Sequence, residues 1–286
     1  MNAELVQQLS LLKTESRDIY RARAFEAAAR ELGRLSYPVS GATLPRLQRD
    51  IGSGKVKGIG AGIMARIVEF CATGQIAEVA ELANVALAVA ELSRIRGIGP
   101  SLAADLVGQG IRSLSDVRRA LATGAITLTD AQRYGVLYYS DLSQRIPRAD
   151  ITRFGAELAA RIRPDKFEIV GSYRRQLATS GDIDILLCYK NLDLAVPEIT
   201  RAIFALGYVA TLSQGDRAMS FLIELGGTVR QCDILLATPD EWVAALVYFT
   251  GSKDFCIRLR REAKRRGMKL NQIGLYLAGS VPSGLG

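Results

Sequence analysis

The spacing of apolar residues changes character along the chain. Up to about residue 162 they recur every three or four positions, as on one face of a helix. Helix is predicted over residues 2–35, with Leu5, Val6, Leu9 and Leu12 on one stripe and Phe25, Ala28, Ala29 and Leu32 on another, until Tyr37-Pro38 stops it. The tight turn Gly58-Ile59-Gly60 separates two helices, and Ile63, Ile67 and Phe70 line the second as far as Ala72-Thr73-Gly74. The same arrangement returns over 92–108, centred on Gly97-Ile98-Gly99-Pro100, with the proline just inside the second helix. Short helices follow over 113–123 and 128–145, parted by Gly124 and stopped by Ile146-Pro147, and a further helix covers 150–162. Tyr134, Tyr138 and Tyr139 are read as packing residues.

From Phe167 onward the pattern is mostly that of strands, with one crossover helix over 193–205. A short run over 167–170 precedes Gly171-Ser172, Arg174-Arg175 and a small-residue loop over 178–181. The segment 182–187 alternates and then runs apolar, so Asp182 and Asp184 share one face and Ile183 and Ile185 the other. Strands over 219–224 and 229–236 are joined by Leu225-Gly226-Gly227-Thr228, a hairpin signal, and the second carries Asp233. Each aspartate alone reads equally well as a strand-edge or solvent-facing residue. Together, three carboxylates converging on one sheet face would repel one another, and a divalent cation with hard oxygen preference, magnesium or manganese, removes that cost. Beyond Thr238-Pro239-Asp240 a helix is expected over 241–247, interrupted by Tyr248-Phe249-Thr250-Gly251-Ser252, then a basic helix over 255–266 and a poorly structured tail over 279–286.

Composition narrows the chemistry. The 286 residues include no histidine, which excludes a Ser-His-Asp triad, a Cys-His pair and a histidine-ligated zinc site. Cys71, Cys188, Cys232 and Cys256 form no CxxC pair and are expected to be reduced and mostly buried. No long uncharged apolar run is present to span a membrane, and the first residues lack the form of a secretory signal. The net charge of +8 is unevenly spread: residues 151–247 carry 10 basic and 12 acidic side chains, residues 248–286 carry 8 and 2. An acidic centre with basic flanks suits a polyanionic substrate. The arginines at 17, 21, 23, 30 and 34 fit either a solvated helix surface or a DNA-facing one. The paired glycine turns are either tight helix connections or helix-hairpin-helix units whose backbone amides bind phosphate without reading bases.

In combination these segments resemble the family X DNA polymerases. The resemblance rests on Gly171-Ser172-Tyr173-Arg174-Arg175, Ser180-Gly181-Asp182-Ile183-Asp184, Asp233, Tyr248 to Ser252, the turns Lys57 to Gly60 and Gly97 to Pro100, and Arg145-Ile146-Pro147-Arg148. It implies an α+β multidomain fold: a helical N-terminal half with two helix-hairpin-helix motifs, a nucleotidyltransferase-type mixed-sheet palm, and a short helical C-terminal segment. The implied modules are 1–85 for DNA binding, 86–147 for holding duplex, 148–247 for the palm, and 248–286 for contacting nucleotide and template. The implied activity is DNA-directed DNA synthesis, filling short gaps in repair without proofreading. Asp182 and Asp184 would hold two magnesium ions, with manganese able to substitute, and Asp233 would complete the site. Arg145, Ser172, Arg175, Ser180, Gly181, Tyr248, Phe249 and Gly251 would contact the deoxynucleoside triphosphate. Lys57, Gly58, Gly60, Gly97, Gly99, Arg258 and Arg260 would contact gapped or nicked duplex DNA. A monomer working at DNA inside the cell is expected.

The departures from the family are also expectations. Arg66 stands where some members carry a Schiff-base lysine, and arginine is no amine nucleophile, so lyase activity by that route is not expected. Gly62 and Glu78 replace neighbouring family lysines, Cys256 a frequent asparagine, and Lys253 an acid. The closing subdomain stops soon after Leu270-Asn271-Gln272, which predicts incomplete closure over the nascent pair.

Overall fold

The structure, a computed structural model, describes residues 2–277 and 279; all but one residue of the tail assigned to 279–286 lies outside that range. The chain divides into two compact units, residues 1–93 with 100–113, and residues 94–99 with 114–286.

The first unit is helical: α1 (Ala3–Glu15), α2 (Ile19–Gly33), α3 (Leu44–Gly52), α4 (Ala61–Thr73), α5 (Ala77–Leu92) and α6 (Pro100–Gly108). The single helix expected over 2–35 is broken at residues 16–18, because Asp18 caps α2 by accepting from the amides of Tyr20 and Arg21. Helix α3 is the helix expected before the Gly58 turn, for which the sequence pattern sets no bounds; Pro45 lies in its first turn and only Leu47 is fully buried. The core is formed by the expected stripes, Leu5, Leu9 and Leu12 against Phe25, Ala28 and Leu32, with Ile59, Ile63 and Ile67. Gly58 takes a positive φ of +75° in the turn between α3 and α4.

The second unit contains α7 (Leu114–Ala122), α8 (Asp130–Leu137), α9 (Tyr139–Leu142), β1 (Ile146–Pro147), α10 (Arg148–Ala159), β2 (Lys166–Ile169), α11 (Gly171–Arg174), β3 (Thr179–Ser180), β4 (Ile183–Cys188), α12 (Ala195–Phe204), β5 (Tyr208–Gln214), β6 (Ala218–Leu225), β7 (Thr228–Ala237), α13 (Trp242–Thr250), α14 (Lys253–Arg265), β8 (Met268–Leu270) and β9 (Leu275–Leu277). The helix expected over 128–145 is two, breaking at Tyr138. Its central sheet has the order β2-β4-β7-β6-β5, with β4 and β7 parallel and the other neighbours antiparallel. The β6–β7 connection is the two-residue turn Gly226-Gly227, both with positive φ, which aligns Leu225 with Thr228.

One sheet face packs Ile183, Ile185 and Leu187 with Phe221, Ile223, Cys232 and Ile234 against Phe154 and Leu158 of α10 and Ile199 and Ile203 of α12. The other is apolar at both ends: Leu186, Cys188 and Ala237 meet Trp242 and Ala245 of α13, and Ala210, Leu222 and Val229 meet Tyr134, Tyr138 and Leu142. The aspartates lie on the polar stretch between them. Strand β5 was not foreseen: it is an edge strand with irregular register and only Ala210 buried, so its hydrophobic signal is weak. Helix α13 continues through Tyr248, Phe249 and Thr250, correcting the expected interruption at Tyr248; the chain turns only at Gly251, with φ +67°. Among the described residues all four cysteines are free, and no helix is long and apolar enough to cross a membrane.

Candidate metal and nucleotide site

The register of the sheet builds the acidic cluster. Asp184 on β4 lies directly opposite Asp233 on β7, and Ser220 on β6 lies opposite Asp233 on its other side. Asp182, two residues before Asp184, points to the same face. One oxygen from each of Asp182, Asp184 and Asp233 lies within 4.8 Å of the other two.

Their surroundings differ. Asp233 accepts from Ser220 Oγ at 2.5 Å and from Gln231 Nε2 at 2.9 and 3.0 Å. Asp182 accepts from Arg96 Nη2 at 2.8 Å, and the same guanidinium donates through Nε to the Gln231 side-chain oxygen. Asp184 receives no side-chain donor among the described residues. Burial, followed by the charges of Asp182 and Asp233, pushes its carboxyl up to about 7, against the opposing charges of Arg96 and Arg175. Burial and the same three aspartates also raise the Cys232 thiol, which therefore stays neutral. Three converging carboxylates, one without a donor, are a hard-oxygen set that fits magnesium or manganese.

The raised carboxyl makes a testable statement about stability. Its ordinary value is 3.8 and its folded value about 7, so the folded state holds the proton more tightly than the unfolded. That stability is present below the unfolded value and is lost as pH rises through about 7. In chelator, Asp184→Asn is expected to be more stable than the native chain at pH 8 by about 1–3 kcal/mol, with the difference closing towards pH 5.5. Urea denaturation at the two pH values measures this, and a difference independent of pH would contradict it.

The turn after β2 closes over the cluster. Gly171 has φ +56°, and a Cβ built on it would sit 1.9 Å from Asp184 Oδ2. Ser172 Oγ donates to Ser180 Oγ at 2.7 Å, and Ser180 is itself held by β1–β3 pairing opposite Ile146. Arg145 donates to the Thr179 hydroxyl at 3.2 Å and its carbonyl at 2.6 Å, with Nη1 close to Gly181. Arg175 donates to the Thr250 carbonyl at 2.6 Å, beside Gly251. Thus Arg145, Ser172, Ser180 and Gly181 are brought together, and Arg175 is tied to the end of α13. Tyr248 and Phe249 meet edge-on at 5.3 Å, with the Arg260 guanidinium 6.0 Å from the Tyr248 ring centre. Arg258 and Arg260 are exposed on α14.

Lys57, Gly58 and Gly60 belong to the first unit and are exposed, as are Gly97 and Gly99 in the loop 94–99. Arg66 also lies in the first unit, where it donates to Glu78 at 2.6 and 3.0 Å; Arg21 donates to the other oxygen of Glu78 at 2.6 Å. Both guanidiniums lie over the Phe25 ring. The sequence reading missed Arg96, Gln231 and Ser220. Gln231 and Ser220 had a findable signal, since strand period places them on the aspartate face; Arg96 had none.

Comparison with known proteins adds an ordered set of matches. Residues 90–143 match the fingers domain of DNA polymerase lambda, 145–222 the DNA polymerase beta palm, and 245–283 the DNA polymerase beta thumb. The palm match stops before Asp233, whose place rests on its register opposite Asp184. The chain is 26% identical over 239 residues to DNA polymerase lambda of Rattus norvegicus, covering 78% of this chain and 41% of the relative. For DNA polymerase lambda of Arabidopsis thaliana the figures are 26% over 251 residues, 79% and 46%. Repair DNA polymerase X of African swine fever virus is 32% identical over 110 residues, covering 37% of this chain and 62% of the viral protein. The chain therefore spans less than half the length of either lambda relative. A crystal structure of Leishmania infantum polymerase beta in a ternary P/T complex matches with TM-score 0.61 and 27% identity, over 69% of this chain and 82% of that one. Fingers, palm and thumb matches in that order, on a sheet that gathers three aspartates on one face, carry the same conclusion as the sequence motifs: the chain belongs to the family X DNA polymerases.

Proposed function

We propose that the chain is a DNA-directed DNA polymerase that adds deoxynucleotides to a primer 3′-hydroxyl, filling short gaps during repair without proofreading and without Schiff-base lyase chemistry. The observation that carries this is the pairing of Asp184 with Asp233 across β4 and β7, with Asp182 on the same face. Two magnesium ions there, replaceable by manganese, would lower the pKa of the primer hydroxyl and neutralise the leaving pyrophosphate. Asp182 and Asp184 would hold both ions and Asp233 would complete the site on the primer side. Ser172, Ser180, Gly181, Arg145 and Arg175 orient the triphosphate, the arginines through their fixed donor forks. Tyr248, Phe249 and Gly251 flank the incoming sugar.

The DNA is held through phosphates. Lys57, Gly58 and Gly60 present one glycine turn and Gly97 and Gly99 the other, while on α14 Arg258 contacts DNA and Arg260 faces the template strand. Four modules, 1–85, 86–147, 148–247 and 248–286, divide this work, a reading supported by the separate fingers, palm and thumb matches. Glu78 engages both Arg66 and Arg21, which supports the absence of lyase chemistry and weakens any 5′-phosphate contact there. The chain works as a monomer on gapped or nicked duplex inside the cell.

Extension of a labelled primer tests this on an open template, a one-nucleotide gap, and a gap bearing a 5′-phosphate, each with magnesium or manganese. Templated addition, strongest in a gap, is expected. Addition that ignores the template would replace the reading by a template-independent transferase. No addition on any substrate, despite salt-sensitive DNA binding, would replace it by a DNA-binding accessory role.

A further inference from the structure

Arg96 reaches the acidic cluster from a distant part of the sequence, bonding Asp182 directly and Asp233 through Gln231. It lies in the loop 94–99, immediately before Gly97-Ile98-Gly99, and 86 positions before the aspartate it binds. Its backbone is fixed on α8. A Cβ on Gly135 would sit 2.0 Å from the Arg96 carbonyl oxygen, and a Cβ on Gly97 would sit 3.1 Å from the Gln132 side chain. Only glycine at these places lets the loop approach so closely.

The side chain then spans the site. One arm of the guanidinium binds Asp182 Oδ2 at 2.8 Å, while Nε binds the Gln231 oxygen. That second bond turns the Gln231 amide nitrogen onto both oxygens of Asp233. Donors therefore lie on two of the three carboxylates at once. A guanidinium is always charged, cannot lose its proton to make room, and repels any cation brought to the same oxygens.

We infer that Arg96 is a latch on the metal site: it competes with divalent cations for Asp182, and DNA bound at the Gly97–Gly99 turn releases it. The inference rests on the metal reading of the aspartate cluster. Without DNA, Arg96 offsets the mutual repulsion of the carboxylates and keeps the site assembled but closed to cations. DNA phosphates at the adjacent turn offer the exposed Arg96 guanidinium competing anionic acceptors while its backbone stays on α8, and Asp182 becomes available. Arg96 is a positioning residue, since it acts on the cations through Asp182 and Gln231.

Manganese binding, read by the loss of the free-ion electron paramagnetic resonance signal, tests the latch without any turnover. Without DNA, Arg96→Ala and Arg96→Gln are each expected to bind manganese about five- to tenfold more tightly than the native chain, as for removal of one nearby positive charge at a partly exposed site. Arg96→Lys, which keeps the charge and loses the fork, falls between. With primed duplex present, the native chain tightens towards the variants. Equal or weaker binding in both neutral variants overturns the latch. A difference that stays undiminished with DNA overturns its release by the turn. Asp233→Asn separates this from the underlying reading: if neither the native chain nor the Arg96 variants bind manganese that this replacement abolishes, the metal reading fails and the latch with it.

Discussion

Asp233→Ala is expected to lose magnesium-dependent nucleotide addition by at least about 10³-fold, because charge stabilisation worth several kcal/mol is removed and each 1.36 kcal/mol is a factor of ten. The same replacement leaves DNA binding intact or slightly tighter at low salt, since it removes a negative charge from the side that faces phosphate. The two readouts separate lost chemistry from lost folding, which would lower both. Alanine also leaves Ser220 and Gln231 without their shared acceptor, so part of its effect is structural. Asp233→Asn answers this: its amide oxygen still accepts from Ser220, while the charge is gone. Single-turnover extension with each variant, beside DNA titration in rising salt, makes the comparison. Activity within tenfold of the native chain in both variants would remove Asp233 from the site.

That aspartate was legible because strand geometry is so restrictive. Period two puts Asp182 and Asp184 on one face from sequence alone, and Gly226-Gly227 declares the hairpin that carries Asp233. Parallel pairing of β4 with β7 is a tertiary fact, yet apolar runs following both aspartates already indicate two buried strands. Edges and junctions were harder. β5 buries little and slips register twice, so its residues carry no clear alternation. The end of α13 was misread because Tyr248 to Ser252 looks like a break, although Trp242, Ala245, Leu246 and Phe249 keep helical spacing up to Gly251. Arg96 was invisible for a different reason. Its meaning comes from a contact across 86 positions, created by close approach at Gly135, and no local pattern encodes that.

Gly171→Ala is expected to damage catalysis as severely as many direct replacements of ligands, although Gly171 has no side chain to contribute. Two costs combine. Its φ of +56° is a left-handed conformation that costs an L-residue roughly 1 kcal/mol. The added methyl would also lie 1.9 Å from Asp184 Oδ2 and 2.8 Å from the carboxyl carbon, far inside contact distance. Retreat of the turn is opposed, because the neighbouring Val170 amide is bonded to the Asp184 carbonyl at 2.8 Å. Asp184 must therefore swing, and its strand partner Asp233 then faces an incomplete cluster. Displacement of a reacting constellation by about 1 Å costs on the order of 10²-fold in rate, so a fall of about that size or more is expected in primer extension. Manganese binding without DNA should weaken in parallel, and stability should fall by about 1–3 kcal/mol in urea denaturation. Gly108→Ala is the matched control: it has nothing within 4 Å, ends α6, and should leave all three quantities close to native values. Should Gly171→Ala keep both its manganese affinity and its rate, the turn is not what holds Asp184 in place, and the cluster owes its geometry to the sheet alone.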